Sequence, residues 1–421
     1  MYLFYSLIYS IVIIFLLPFE YLKRPKGIRN RWLRERLGFF DSYPDSHTSS
    51  SFWIHAVSVG EVMASLPLLY KLRDCYPSKK IIISTITDTG QKVAREHAPE
   101  SVLILYLPFD SAFILRSMLT RIKPEILIVI ETELWPNLFR VFKEKGIPVV
   151  VLNGRISKKS FHGYKKISFF MKRVLSCVDF FCMQNDLYVQ RIQELGVHKE
   201  KVLNTGSFKF DTKPPSKIPS WAENIRGRVL IAGSTHEGEE DLIISVYMEL
   251  KKEFHELNLI LAPRHPERFK AVENLLKEKG IAYIKRSSFG NQDIPASKSL
   301  HSIVILLDTV GELSSVYGIS DIAIIGKSFR GYGGQNPLEP AYWGKTIICG
   351  PHMENFPIIE DFIKEGAIMM VQENELFSTI KNLLLVPEKA MEIGIKAQEI
   401  YRKNTGAVER SMRIIEKFVQ R

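Results

Sequence analysis

The sequence predicts an α/β protein of two doubly wound, Rossmann-like domains facing a cleft, preceded by an apolar helix. Three observations carry that expectation. Short unbroken apolar runs alternate with amphipathic stretches from residue 52 onward, which suits parallel strands buried on both faces. A polar, proline-rich segment, Asp211-Thr212-Lys213-Pro214-Pro215-Ser216-Lys217-Ile218-Pro219-Ser220, divides the alternation into two series. A chain of 421 residues is also too long for one ordinary domain.

The first element is residues 1–19, which carry no charge and are almost all apolar. No basic region precedes them and no small-residue cleavage site follows, so a removable signal peptide is not expected. Their length is near the minimum for a membrane span, and a buried or interfacial helix is the alternative. Lys23 to Arg36 holds seven Lys/Arg and one Glu, so it supplies +6 of the formal net charge of +11. Such a flank favours an anchor with its basic side on the cytoplasmic face, in contact with anionic lipids. A basic excess this concentrated does not resemble a nucleic-acid-binding face. The four cysteines, Cys75, Cys177, Cys182 and Cys349, are scattered and read as free thiols.

Strands are expected at Phe52–Val57, Lys80–Thr85, Val102–Tyr106, Glu125–Ile130, Pro148–Leu152, Asp179–Met183 and Lys201–Asn204. A second series follows at Arg228–Ala232, Asn258–Ala262, Ile303–Leu307, Asp321–Ile325 and Thr346–Cys349. The domains are then an anchor at 1–22, a first Rossmann-like domain at 23–212 and a second at 213–421, the last helix packing back on the first domain. Ligands of such sheets bind at the carboxyl ends of strands, and the polar motifs cluster there.

Ser58-Val59-Gly60-Glu61 follows the first strand. Glu61 is a candidate general base, but Ser58-x-x-Glu61 also fits a capping box, and spacing alone favours the cap. Glu131-Thr132-Glu133 follows the fourth strand, where acids are costly unless paired or useful. Lys209 suits an anion. Gly233-Ser234-Thr235 puts hydroxyls near a helix start, an anion-site geometry. Arg264 can clamp a phosphate or carboxylate in two places at once. Gly311-Glu312 is another strand-end turn. The richest stretch is Gly326 to Pro340: Gly333 and Gly334 let backbone approach a ligand, Asn336 reads as an N-cap with Pro337 at the first helical position, and Glu339 lies in the first turn, able to accept from ribose hydroxyls. His55, His236, His265 and His352 lack ligand spacing and there is no Asp-x-Asp, so neither a metal nor a cofactor is expected.

Six ordered motifs resemble the 3-deoxy-D-manno-octulosonic acid (Kdo) transferases of lipopolysaccharide synthesis. They are Glu35-Arg36-Leu37-Gly38, Ser58-Val59-Gly60-Glu61, Glu131-Thr132-Glu133-Leu134-Trp135-Pro136, Gly206-Ser207-Phe208-Lys209-Phe210, Pro263-Arg264-His265 and Gly333-Gly334-Gln335-Asn336-Pro337-Leu338-Glu339-Pro340. The resemblance implies a GT-B fold, CMP-Kdo as donor, a lipid A precursor as acceptor, inversion at the anomeric centre and no metal. It implies that Glu61 is the general base and Glu131 a second essential acid. It places Arg264, Ser234, Thr235, Gly311, Glu312, Gly333, Gly334, Asn336, Glu339 and Lys209 on the donor side. Gly60, Glu35 and Arg36 fall on the acceptor or membrane side. Gln335 stands where the family has His, and Lys327 where it has a second glycine. Another GT-B enzyme, such as a nucleotide-sugar epimerase or a transferase with a UDP donor, is the alternative activity. A membrane-tethered binding module is the alternative of a different class.

Overall fold

The computed structural model describes residues 1–40, 50–212, 217–289, 303–331 and 333–419. Residues 213–216 of the expected linker and Tyr332 of the glycine-rich loop lie outside the described residues. The chain divides into two compact units, Met1–Thr212 with Thr405–Arg421, and Lys213–Asn404.

The first unit is built on strands β1 (Ser51–His55), β2 (Lys80–Thr85), β3 (Leu103–Tyr106), β4 (Pro124–Ile130), β5 (Val149–Gly154), β6 (Phe180–Met183) and β7 (Val202–Asn204). They form one parallel sheet in the order β3-β2-β1-β4-β5-β6-β7. Side chains alternate across a strand, so both faces of β1 and β4 must be apolar to be covered by helices. Trp53, Leu127 and Val129 accordingly pack on one side, and Phe52, Ile54, Ile126 and Ile128 on the other.

The second unit repeats the plan with β8 (Arg228–Thr235), β9 (Leu257–Pro263), β10 (Tyr283–Lys285), β11 (Val304–Leu306), β12 (Ile322–Ile325), β13 (Thr346–Cys349) and β14 (Met369–Met370). Their order is β10-β11-β9-β8-β12-β13-β14, again all parallel. Every expected strand is present. Two edge strands, β10 and β14, escape sequence reading because they are short and only half-buried. The expected β8 ends too early. Its pairing with β9 continues through an irregularity between Gly233 and Thr235, which carries the strand into the polar motif.

Ahead of β1 lie helices α1 (Tyr2–Lys23) and α2 (Lys26–Arg36). Glu35 and Arg36 of α2, expected on the acceptor or membrane side, are buried. Glu35 accepts from the Tyr106 amide at 2.7 Å and from Arg31 at 2.6 Å. The Arg36 guanidinium donates to the Leu107 carbonyl and lies 4.4 Å from the centre of the Phe109 ring. They hold the segment that follows β3, because buried charges persist only where such partners exist.

The terminal helix Ala407–Ile415 inserts Val408, Met412 and Ile415 into the core behind β1 and β4. The Asp211 carboxylate caps it from the far end of the first unit's chain, accepting from the amides of Gly406 and Val408, each at 2.6 Å. Arg410 adds a bond to the Thr205 carbonyl at 2.8 Å. Asp211→Ala should therefore cost about 1–2 kcal/mol, the scale of a lost N-cap. Hydrogen exchange should speed up first across 407–419, and unchanged protection there would show that apolar packing alone holds the helix.

Candidate active site

Each sheet reverses strand order once, between β1 and β4 and between β8 and β12. At such a point the loops leaving the two strands part and open a crevice at their carboxyl ends. The motifs around Glu61, Glu131, Ser234 and Lys327 leave these four strands; Lys209, Arg264 and Gly311-Glu312 follow β7, β9 and β11.

In the first unit, β1 runs into helix α3 (Val59–Cys75), with Gly60 exposed and Glu61 in the first turn. Glu61 is 8% exposed. Its Oε2 accepts from the Val57 amide at 2.7 Å and its Oε1 from the Ser58 hydroxyl at 3.0 Å. Ser58 is the N-cap residue, but its side chain makes no capping bond. The capping box that the spacing favours is thus not formed; the serine serves the carboxylate instead. Burial pushes the Glu61 carboxyl up to about 7, with the charges of Glu131 and Glu133 adding to it and the Val57 and Ser58 bonds opposing.

Glu131 opens the loop after β4 in the left-handed region, at φ 60°, a conformation that costs a non-glycine residue about 1–3 kcal/mol. Burial raises its carboxyl, while Lys209 and Arg155 pull it back. Glu133 is raised by burial and by Glu131. Lys209 is lowered by burial, against the attraction of Glu131. Lys209, expected beside a donor, has Glu131 and Arg155 as its charged neighbours in the first unit. Thr132 braces this loop, accepting from the Arg155 amide at 2.8 Å.

In the second unit, Ser234 and Lys327 leave the neighbouring strands β8 and β12 with φ of 56° and 57°. The two strand ends pass so closely that a Cβ at Gly326 would strike the Ser234 carbonyl. One side chain organises this crossing. The fully buried Glu239, in the first turn of the helix Glu239–Lys251, accepts from five backbone amides. Its Oε2 takes Lys327 at 2.6 Å and His236 at 3.0 Å; its Oε1 takes Ser328 at 2.9 Å, Phe329 at 3.0 Å and Arg330 at 3.4 Å. That grip explains how a lysine is held where glycine is the easier choice. The Lys327 ammonium is close enough to His236 to depress its imidazole further, after burial. Sequence reasoning missed Glu239; the His236-x-x-Glu239 spacing was its signal.

Gly333 and Gly334 have φ of 106° and 63°, and their amides donate to Glu354 at 2.8 Å and to the Lys327 carbonyl at 3.1 Å. Asn336 does cap, but one residue outside the expected frame. The short helix is Leu338–Tyr342 with Pro337 as its N-cap residue, and Asn336 Oδ1 accepts from the Leu338 amide at 3.1 Å. Its Nδ2 donates to Glu339 at 3.2 Å. Burial raises the Glu339 carboxyl, opposed by Asn336 and by the charge of Arg264. Arg264 is exposed at the end of β9. Asn336, Glu339 and Arg264 thus come together in the second unit.

Two others do not. Thr235 is fully buried, and its hydroxyl bonds Glu240 at 3.1 Å. Glu312 is held by both arms of the buried Arg286, at 2.8 and 3.0 Å. The guanidinium in turn lies over Trp221 and Phe289. Both side chains are spent on the fold. Gly311 keeps φ 92° in the turn beside Glu312.

A family-level sequence model described as 3-deoxy-D-manno-octulosonic-acid transferase (kdotransferase) matches residues 31–212. The chain is 34% identical over 398 residues to the 3-deoxy-D-manno-octulosonic acid transferase of Haemophilus influenzae, covering 92% of each. It is similar in structure to a glycosyltransferase from Rickettsia africae, with TM-score 0.57 and 14% identity over 88% of this chain and 99% of the other. It is similar also to a UDP-N-acetylglucosamine 2-epimerase, with TM-score 0.59 and 11% identity over 89% and 98%. These two likenesses show the GT-B fold and do not separate transferase from epimerase.

Glu239→Gln should destabilise the second unit by about 2 kcal/mol or more, because one amide oxygen cannot replace a carboxylate bonded to five amides. Thermal unfolding reads the loss. An unchanged midpoint would mean that the β8 and β12 loops hold their shape without it.

Proposed function

The chain belongs to the 3-deoxy-D-manno-octulosonic acid transferase family, a family of glycosyltransferases of lipopolysaccharide synthesis, and from that premise we propose that it moves Kdo from CMP-Kdo to a lipid A precursor of the lipid IVA type, with Glu61 as general base. A sugar hydroxyl of the acceptor attacks C2 of Kdo. The bond from C2 to the phosphate oxygen breaks, CMP leaves with the electron pair, and Glu61 takes the hydroxyl proton.

The observation that carries this reading is the Glu61 carboxyl. It is buried, it sits beside the point where the first sheet reverses, and burial pushes it up to about 7, above the usual carboxylate range. A base poised there is ionised at working pH yet basic enough to accept a proton. Glu131 and Glu133 share its field, so Glu131 is proposed as the second acid of the acceptor side, with Lys209 tempering its charge. Gly60 leaves the approach to Glu61 open.

Donor binding is assigned to the second unit: Arg264 to the phosphate, Glu339 to ribose hydroxyls, and Ser234, Gly311, Gly333, Gly334 and Asn336 to the nucleotide-sugar. Arg264 and the strand-end amides would stabilise the departing phosphate by charge and hydrogen bonds. A single-phosphate donor has no diphosphate to neutralise, so a metal ion is not part of this proposal. The apolar α1 and the exposed Lys23, Lys26 and Arg34 support attachment to the anionic cytoplasmic face of the inner membrane, where a lipid acceptor resides. CMP release from CMP-Kdo that requires lipid A precursor tests the whole assignment; turnover of a UDP-sugar instead would favour the other GT-B activities.

Glu61→Gln should lower turnover roughly a hundredfold or more while leaving CMP affinity unchanged. In the unaltered enzyme, kcat/KM should fall tenfold per pH unit below about 7, as Glu61 takes up its proton. The sign for stability is opposite. A carboxyl raised in the folded state favours folding below the unfolded value and loses that contribution as pH rises through about 7. The amide variant should thus hold its unfolding midpoint above pH 7. Turnover near normal in that variant would return Glu61 to a purely structural role.

Arg264→Ala should weaken CMP binding by about tenfold or more, the scale of a charged hydrogen bond, and leave acceptor affinity alone. Calorimetry with CMP measures it, and equal affinities in both proteins would remove Arg264 from the donor site.

A further inference from the structure

Helix α1 is long and apolar enough to cross a bilayer, with a mean hydropathy of 2.1 over its best window. Its contacts argue for a different placement. Residues Tyr2, Tyr5, Ser6, Tyr9, Ile13, Leu17, Glu20, Tyr21 and Arg24 are half-buried and the rest of the helix is exposed. Their spacing of three and four marks one face, so the first unit covers a single stripe along the whole length.

That stripe is polar at its first end. The Tyr5 hydroxyl donates to Asp110 at 2.8 Å, and the Asp110 amide donates to the Tyr9 oxygen at 3.0 Å. Ser6 and Asn137 bond at 2.9 Å. The Tyr2 hydroxyl donates to the Arg173 carbonyl at 3.3 Å, and Arg140 lies 4.7 Å from the Tyr2 ring centre. Asp110 is itself buried and caps the helix Pro136–Glu144 through the amides of Asn137 and Leu138, at 3.0 and 2.7 Å. In the middle, Ile13 and Leu17 pack on Trp32 and Phe109. At the other end, Tyr21 donates to Asn30 at 2.7 Å, and Arg24 lies 4.0 Å from the Trp32 ring centre.

A 22-residue helix is about 33 Å long, close to the ~30 Å of a hydrocarbon core. If α1 crossed the bilayer, residues 2–9 would reach the far side. Every tie to Asp110, Asn137, Arg173 and Arg140 would break, and a buried carboxylate would lose a donor, which is expensive. The opposite face is unpartnered and apolar: Leu3, Phe4, Leu7, Ile14, Phe15 and Phe19 are each 60–86% exposed. Lys23, Lys26 and Arg34 stand exposed just beyond its end.

We propose that α1 lies in the plane of an anionic lipid surface, its apolar face in the acyl boundary and its tyrosine stripe on the first unit, so that both chain termini stay on one side of the membrane. The occupant is lipid because the face is apolar over its full length and ends in cations, the pattern of an interfacial helix. The proposal rests on the membrane attachment put forward above and deepens it.

The test uses the full chain with a protease-cleavable tag at each end, in bacterial inner-membrane vesicles. In inverted vesicles both tags should be cut; in spheroplasts neither should be. Removal of the N-terminal tag from spheroplasts would show a crossing helix and overturn the proposal while leaving attachment intact. Recovery in the soluble fraction as a stable dimer, with α1 faces paired, would overturn both. A second measurement uses Tyr5→Phe with Tyr9→Phe in vesicle-bound protein. Loss of the hydroxyl ties should lower the unfolding midpoint by about 2–4 °C. No shift would mean that α1 has left the first unit in the membrane.

Discussion

A parallel strand covered by helices on both faces can offer polar chemistry only at its ends. That constraint governs both units. Phe52-Trp53-Ile54 of β1 and Ile126 to Ile130 of β4 are wholly committed to the core, so the first place a carboxylate can stand is the residue after the strand. Glu131 stands there at once, at the cost of a left-handed backbone. Ser234 and Lys327 adopt the same conformation at the equivalent ends of β8 and β12. Strain of this kind persists only where surrounding structure over-determines it. Among the described residues, three of the five such non-glycine positions stand at the two places where strand order reverses; Lys123 and Asn153 are the others.

Five acids of this chain, buried or half-buried, divide by what satisfies them. Glu239, Asp110 and Asp211 are each met by backbone amides, five in the first case. They organise loops and cap helices. Glu61, with one amide and one hydroxyl, and Glu131, with two cations nearby, are less completely met. Their environment holds them toward the neutral form, and Glu133 adds to the mutual repulsion. The same residue type is thus structural when amides neutralise it and chemically poised when they do not. Thr235 and Glu312 show the converse, since their sequence position suggested a ligand and Glu240 and Arg286 claimed them first.

The N-terminal helix joins these themes. Its tyrosines stand in an otherwise apolar run, yet three of their hydroxyls meet Asp110 and Arg173 in the first unit. Asp110 also caps the helix that begins directly after the Glu131–Trp135 loop. The helix proposed to face lipid and an edge of the proposed acceptor site are therefore fastened to one buried carboxylate.

Much of this was legible in the residues. Long apolar runs bounded by Gly, Ser and acids identify central parallel strands, and the acids after β1 and β4 could be named because such strands leave few other positions for them. Family membership was legible too, in six ordered motifs. The short edges β10 and β14 were not, because two or three half-buried residues carry no periodic signal. Nor were the partners of Glu35, Arg36, Glu239 and Glu312. A sequence displays a side chain's chemistry, which sets what it can do, and local spacing sets which element it joins. Whether a carboxylate is quenched by amides or left poised depends on groups up to 197 residues away, as Val408 is from Asp211. Only the folded chain brings those groups together, because burial and pairing are properties of the assembled packing and not of the segment.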